Sequence, residues 1–146
     1  MKKSISRTFP VSFTSSKKAQ ASKDLLMLLI LAGHAILITP VSFLTPHAID
    51  SLPALVWLIV CVAIVRLKPG TLISRSILAI GLILYSATLI HISNGLVEMH
   101  FHIFVALALL SIYYDWRVII LGAGLTAFHH LIGLLFENTY TVYAPN

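Results

Sequence analysis

Residues 91–102, HISNGLVEMHFH, hold three of the seven histidines (His91, His100 and His102) and Glu98, one of only five acidic residues. A second pair, His129 and His130, lies inside the last apolar run. Imidazole binds zinc, copper, iron and nickel, serves as an axial ligand to haem, and carries protons near neutral pH. Other chemistries find no support in the sequence. It contains no HExxH zinc signature, no CxxCH haem attachment and no carboxylate-rich calcium cage. A nucleophile–base pair, a Walker loop and a dinucleotide fingerprint are also missing, so the reading is non-enzymatic.

The elements that must position these rings are membrane helices. Of 146 residues, 58% are hydrophobic and 10% charged, with mean hydropathy +0.95. A soluble domain carries about 25% charged residues, so lipid is the implied solvent. The net charge of +5 does not point to nucleic acid, because Lys2, Lys3, Arg7, Lys17, Lys18 and Lys23 all precede the first apolar run. Cys61 is the single cysteine, which excludes an internal disulfide.

Residues 1–23 read as a flexible basic cytoplasmic arm, 24–136 as a transmembrane helical bundle and 137–146 as an extracytoplasmic tail. The run after the arm is too long for a signal-peptide core and lacks a cleavage site. Five apolar runs, at about 24–45, 51–66, 71–92, 97–114 and 117–136, predict an all-α polytopic bundle of about five spans. The second is the shortest. With the amino terminus cytoplasmic, all ten Lys and Arg fall inside, including Arg66, Lys68, Arg75 and Arg117, while Asp50, Glu98 and Glu137 fall outside. Tyr113, Tyr114 and Trp116 then form an inner aromatic belt, with Tyr140 and Tyr143 at the outer face.

Helical rise brings the histidines to one level. From Phe101 to Tyr114 and from Arg117 to His130 is about 13 residues, or roughly 20 Å in each case. His129 and His130 therefore climb to the depth of His100 and His102, with His91 at that level or slightly above. Five histidines and Glu98 share one slab in the outer half. If the fourth helix begins before Glu98, then Glu98 and His102 share a face while His100 points roughly 160° away. If Met99–His102 is extended, His100 and His102 point the same way and could chelate one ion. His129 and His130 diverge by about 100°.

The slab predicts a site for haem b or a transition metal, copper foremost. His91, His100, His102 and His130 are the cofactor ligands, and Glu98 and His129 join them for a metal ion. Hydrogen bonding between helices and a proton relay are the competing uses. His34 lies mid-depth on the first helix and reads as a lone satisfied histidine, and His47 as a solvated loop residue. Gly33, Gly81, Gly122 and Gly124 read as close helix contacts. Ser93 and Asn94-Gly95 read as the turn between helices three and four.

The stretch LIHISNGLVEMHFHIFVALALLSIYYDWRVIILGAGLTAFHHLIG, from Leu89 to Gly133, resembles the amino-terminal multi-helix membrane region of certain bacterial methyl-accepting chemotaxis proteins, sensor histidine kinases and diguanylate cyclases. His91, Glu98, His100, His102, Asp115-Trp116-Arg117 and His129-His130 carry the likeness, over about a third of the chain. The resemblance implies a sensory input module. In the longer relatives a sixth helix and a cytoplasmic output region follow, so a chain ending at Asn146 is expected to be a fragment of such a protein or a small stand-alone membrane protein.

Together these readings give a multi-pass protein of the bacterial inner membrane. Its partners are the lipid bilayer, further copies of itself and a cytoplasmic output region, with no nucleic acid. It senses a gas, a redox change or a metal at the histidine layer. A metal or proton carrier and a structural membrane subunit are the alternatives. The topology has a direct check. A reporter active only in the cytoplasm is expected to be active when inserted after Lys68 and silent after Asn94, and the reverse pattern would invert the bundle.

Overall fold

The computed structural model describes residues 16–46 and 48–135. His47, Glu137, Tyr140, Tyr143, the first part of the arm and the tail lie outside the described residues. Five helices follow one another: α1 Lys17–Ser42, α2 Leu52–Leu67, α3 Leu72–Ile92, α4 Val97–Leu110 and α5 Trp116–Leu135. Short 3-10 turns, Ala48–Ser51 and Ser111–Tyr113, precede α2 and follow α4. Among the described residues there is no strand, as the uninterrupted apolar runs require.

Four stretches are long and apolar enough to cross a membrane: Lys17–Ser42, Ile49–Leu67, Leu72–Ile92 and Trp116–Leu135. Val97–Tyr113 is a shorter apolar helix, and at about 1.5 Å per residue it approaches the roughly 30 Å of a bilayer core. The expectation that the second run is shortest is corrected. The 3-10 turn joins α2 to make 19 residues, whereas α4 is confined between two left-handed turns. Asn94 (φ 54°) and Gly95 (φ 77°) close one end and Tyr114 (φ 53°) the other.

α1 begins at Lys17 and takes in the last seven residues of the expected arm. Ser16 caps it, its side chain accepting from Ala19 N at 3.2 Å. Gln20 and Asp24, one turn apart, are buried on the face that meets the rest of the bundle. The polar segment 17–23 is therefore helical because one side of it packs.

α3 is the hub. In its most apolar stretch 56% of residues are buried, against 22% in α1, 22% in α2 with its turn and 17% in α5. It packs against all four other helices. Its buried Leu78, Leu82 and Tyr85 meet Met27, Leu31, Cys61, Leu110 and Val118 in one core. Outward from that core, Leu29, Ile36, Leu37, Ile59, Phe104, Phe128 and Leu134 are exposed. A bundle that buries only its centre and shows leucine outside is built for lipid.

Lipid tails are as apolar as leucine, so close packing and polar contacts hold such helices together. At Gly122 an added Cβ would come within 2.7 Å of Leu110 Cδ1, and at Gly81 within 3.1 Å of Leu31 Cδ1. These two glycines mark close approaches, as expected. Gly33 and Gly124 do not, since nothing lies within 4 Å of a Cβ there. The α2–α3 turn is fixed more tightly. Gly70 has φ +70°, and a Cβ on it would meet the Lys17 carbonyl oxygen.

All seven described Lys and Arg lie at one end of the bundle. There the α2–α3 turn rests on the start of α1, and Arg75 Nη1 bonds Asp115 Oδ2 in the α4–α5 turn at 2.9 Å. Gly70→Ala is expected to destabilise by about 2 kcal/mol or more. Left-handed backbone costs a side chain roughly 1–2 kcal/mol and the carbonyl contact adds to it. Gly124→Ala should be neutral or stabilising by up to about 1 kcal/mol. Unfolding by denaturing detergent in mixed micelles measures both.

Candidate functional site

α4 starts at Val97, so Met99–His102 is helical and its side chains fan around the axis. His100 and His102 therefore point to opposite sides, and each finds a different partner. The two cannot chelate one ion together. Glu98 sits exposed in the first turn of α4, where a carboxylate favours the helix amino terminus. It makes no hydrogen bond or ion pair among the described residues.

His102 turns into the bundle and meets His34 of α1. Their Nε2 atoms are 2.8 Å apart and the rings sit edge to face at 4.9 Å between centroids. His34 Nδ1 is 2.7 Å from Ile30 O, and His102 Nδ1 is 2.9 Å from Ser86 Oγ. A carbonyl only accepts, so His34 carries its proton on Nδ1 and, when neutral, offers a bare Nε2. His102 then donates from Nε2, and its own bare Nδ1 accepts the Ser86 hydroxyl. Ser86 Oγ is also 2.9 Å from Leu82 O, a carbonyl already engaged in the helical ladder. Three helices are thus joined by a neutral chain, Ser86 to His102 to His34 to the Ile30 carbonyl, with no ring nitrogen left over.

His34 was expected to stand alone, and the structure corrects that. The missed signal was depth on the other side of the bundle. Asp24 and Tyr113 face each other at the inner end. From them to His34 and His102 is 10 and 11 residues, about 15 and 16 Å of rise.

The other histidines form a row nearer the outer end. His91 of α3 lies 5.9 Å from His129 of α5, and His129 lies 5.7 Å from His130, between ring centroids. His130 stacks on His100 of α4 at 5.7 Å with 21° between ring planes. The 100° divergence of adjacent residues on α5 gives His129 to α3 and His130 to α4. His100 Nδ1 donates to Leu96 O at 3.0 Å, and its Nε2 is buried without a hydrogen-bond partner. An apolar cleft of about 290 Å³ between α3 and α5, lined by Ile83, Leu84, Leu125 and Phe128, ends at His129.

The single slab expected from the sequence is therefore two groups at two depths. One contains His91, His129, His130 and His100, the other His34 and His102, with Glu98 in neither. Among the described residues no three His, Cys, Asp or Glu side chains stand close enough to share a metal ion. What the row offers is ring pairs, each bridging two helices.

A segment of 59 residues, 40% of this chain, is 37% identical to the transducer protein Htr8 of Halobacterium salinarum. The chain spans 9% of the length of that relative. No known family profile matches the chain, and no solved structure matches it.

Hydrogen bonds between membrane helices are worth about 0.6–2 kcal/mol. His34→Ala and His102→Ala are each expected to destabilise the bundle, with a coupling of about 1 kcal/mol in a double-mutant cycle. Glu98→Gln should change stability little. Additive losses at His34 and His102 would show that the two rings do not touch.

Proposed function

We propose that this chain is the sensory input module of a membrane signal-transduction protein, with the outer histidine row as the element that receives the stimulus. The amino terminus lies in the cytoplasm, the membrane is the bacterial cytoplasmic membrane, and the output is a cytoplasmic signalling region or partner. The observation that carries the reading is the run of four imidazoles across α3, α5 and α4 at one end of a bundle whose seven described cations lie at the other. The transducer likeness supports it.

The stimulus acts through a transition-metal ion taken up by one ring pair of the row, His100 and His130, once the rings turn towards it, copper being the natural choice for imidazole donors. His100 supports this, because a carbonyl accepts from its Nδ1 and fixes the ring, leaving Nε2 bare, as in histidines that bind metal ions. Haem is less favoured. Metal–imidazole bonds of about 2 Å need rings aimed end-on at the iron from opposite faces. His100 and His130 are instead stacked side by side. Binding would draw α4 and α5 together at their outer ends and so shift the balance between two packings, by as much as its affinities for them differ.

A carrier would need a polar path continuing inward from the row. The hydrogen-bonded chain below it ends at Ile30, and beneath lie buried Leu78, Leu82 and Met27. The sensor reading is preferred for that reason.

The test is metal analysis and absorption spectroscopy on detergent-purified protein expressed with copper and haem supplied. Stoichiometric copper is expected in the wild type, and its loss in His100→Ala and His130→Ala. A Soret band would replace the ion with haem. Neither copper nor a Soret band would leave the row as interhelical packing only.

A further inference from the structure

At the inner end, far from the histidines, Asp24 is fully buried. Its Oδ2 accepts from Gly70 N at 2.7 Å and from Ser74 Oγ at 2.5 Å. Its Oδ1 is buried with no hydrogen-bond partner, and no cation forms an ion pair with it among the described residues. Gln20 Oε1 is in the same condition, while the buried Tyr113 hydroxyl has the Asp24 carboxylate itself as its nearest polar neighbour. Gln20 is 7% exposed and Tyr113 0%.

The three oxygens belong to one place. Gln20 and Asp24 are four residues apart on α1 and so share a face. Gln20 Nε2 donates to the Tyr113 carbonyl at 3.4 Å, which fixes the amide orientation and leaves Oε1 as the free atom. The Tyr113 ring faces the Asp24 carboxylate. Gly70, held against the Lys17 carbonyl, closes the site from the α2–α3 turn.

Nearby cations are committed elsewhere. Arg75, which also faces Tyr113, bonds Asp115 Oδ2 at 2.9 Å and Thr71 O at 3.2 Å, so that pair is already neutral. Lys23 Nζ lies over the exposed Tyr114 ring, 4.7 Å from its centroid. A buried carboxylate without a counter-charge is expensive, and the unpaired Gln20 oxygen on the same face adds to the cost. A hard cation answers both at once. It pairs the one negative charge and takes carboxylate, amide and phenol oxygens as ligands, and a single carboxylate matches a single positive charge.

We propose that Asp24, Gln20 and Tyr113 form a binding site for a monovalent alkali cation at the inner end of the bundle. The cation would tie the start of α1 to the α4–α5 turn, with Ser74 and Gly70 holding the carboxylate in place. The site is independent of the histidine row. The competing account is a proton, since a protonated Asp24 would satisfy its neighbours with no ion bound.

The full chain, purified in detergent with choline chloride as the only salt, is titrated with sodium or potassium chloride at constant ionic strength. Thermal unfolding and binding of radioactive sodium are followed. One or both alkali ions should raise the midpoint saturably, with about one ion bound per chain. Asp24→Asn should abolish the response. Gln20→Leu, which keeps the charge, should weaken binding roughly tenfold, as loss of one buried polar partner does. His100→Ala should leave it unchanged. If Asp24→Asn fails to fold, Gln20→Leu and Tyr113→Phe decide, and unaltered ion affinity in both overturns the proposal. So does equal wild-type stability in choline, sodium and potassium with no ion bound.

Discussion

In hydrocarbon no water is at hand to pair a polar atom, so every polar group on a helix must be answered by another helix. α3 shows what that constraint builds. Near its start Ser74 reaches Asp24 of α1, and one turn on the Ile77 carbonyl takes the Trp57 indole of α2 at 2.9 Å. Higher up Ser86 meets His102 of α4, and at the far end His91 meets His129 of α5. Each neighbour is met at its own depth, α1, α2 and α4 by hydrogen bonds and α5 by a ring contact. Between those contacts Leu78, Leu82 and Ile83 pack without polarity.

This ladder gives the bundle a polar cluster at each end, with the Ser86–His102–His34 chain between them. The outer end joins α3, α4 and α5 through imidazole rings. The inner end joins α1, α3 and the α4–α5 turn through Asp24, Ser74, Gln20 and the Arg75–Asp115 ion pair. α4 and α5 run from one end to the other, so a change in how their outer ends meet is felt at the turn that Arg75 holds. The cost of leaving any of these groups unpaired makes the arrangement discrete instead of continuously deformable.

The histidines show how much side-chain direction adds to depth. Counting residues along a helix brings His100, His102, His129 and His130 near one level, and it is correct to within about a turn. It cannot say that α4 would be helical from Val97 onward, which sends His100 towards α5 and His102 towards α1. Nor can it weigh a lone His34, because its partner is 68 residues away and only packing reveals that both face the same gap. Glu98 has the right level and the wrong direction, since a helix amino terminus facing water holds a carboxylate without help from the bundle.

By itself the sequence determined the helices and their apolar character, because hydropathy acts locally, through each segment's own transfer from water to lipid. It also showed which residue types could do chemistry. Tertiary structure alone decided which of them meet. The pairing of His34 with His102, the stacking of His100 on His130 and the burial of Asp24 under Gly70 and Ser74 depend on the rotation of each helix about its axis. Rotation is set by packing against neighbours distant in sequence, and no single segment encodes it.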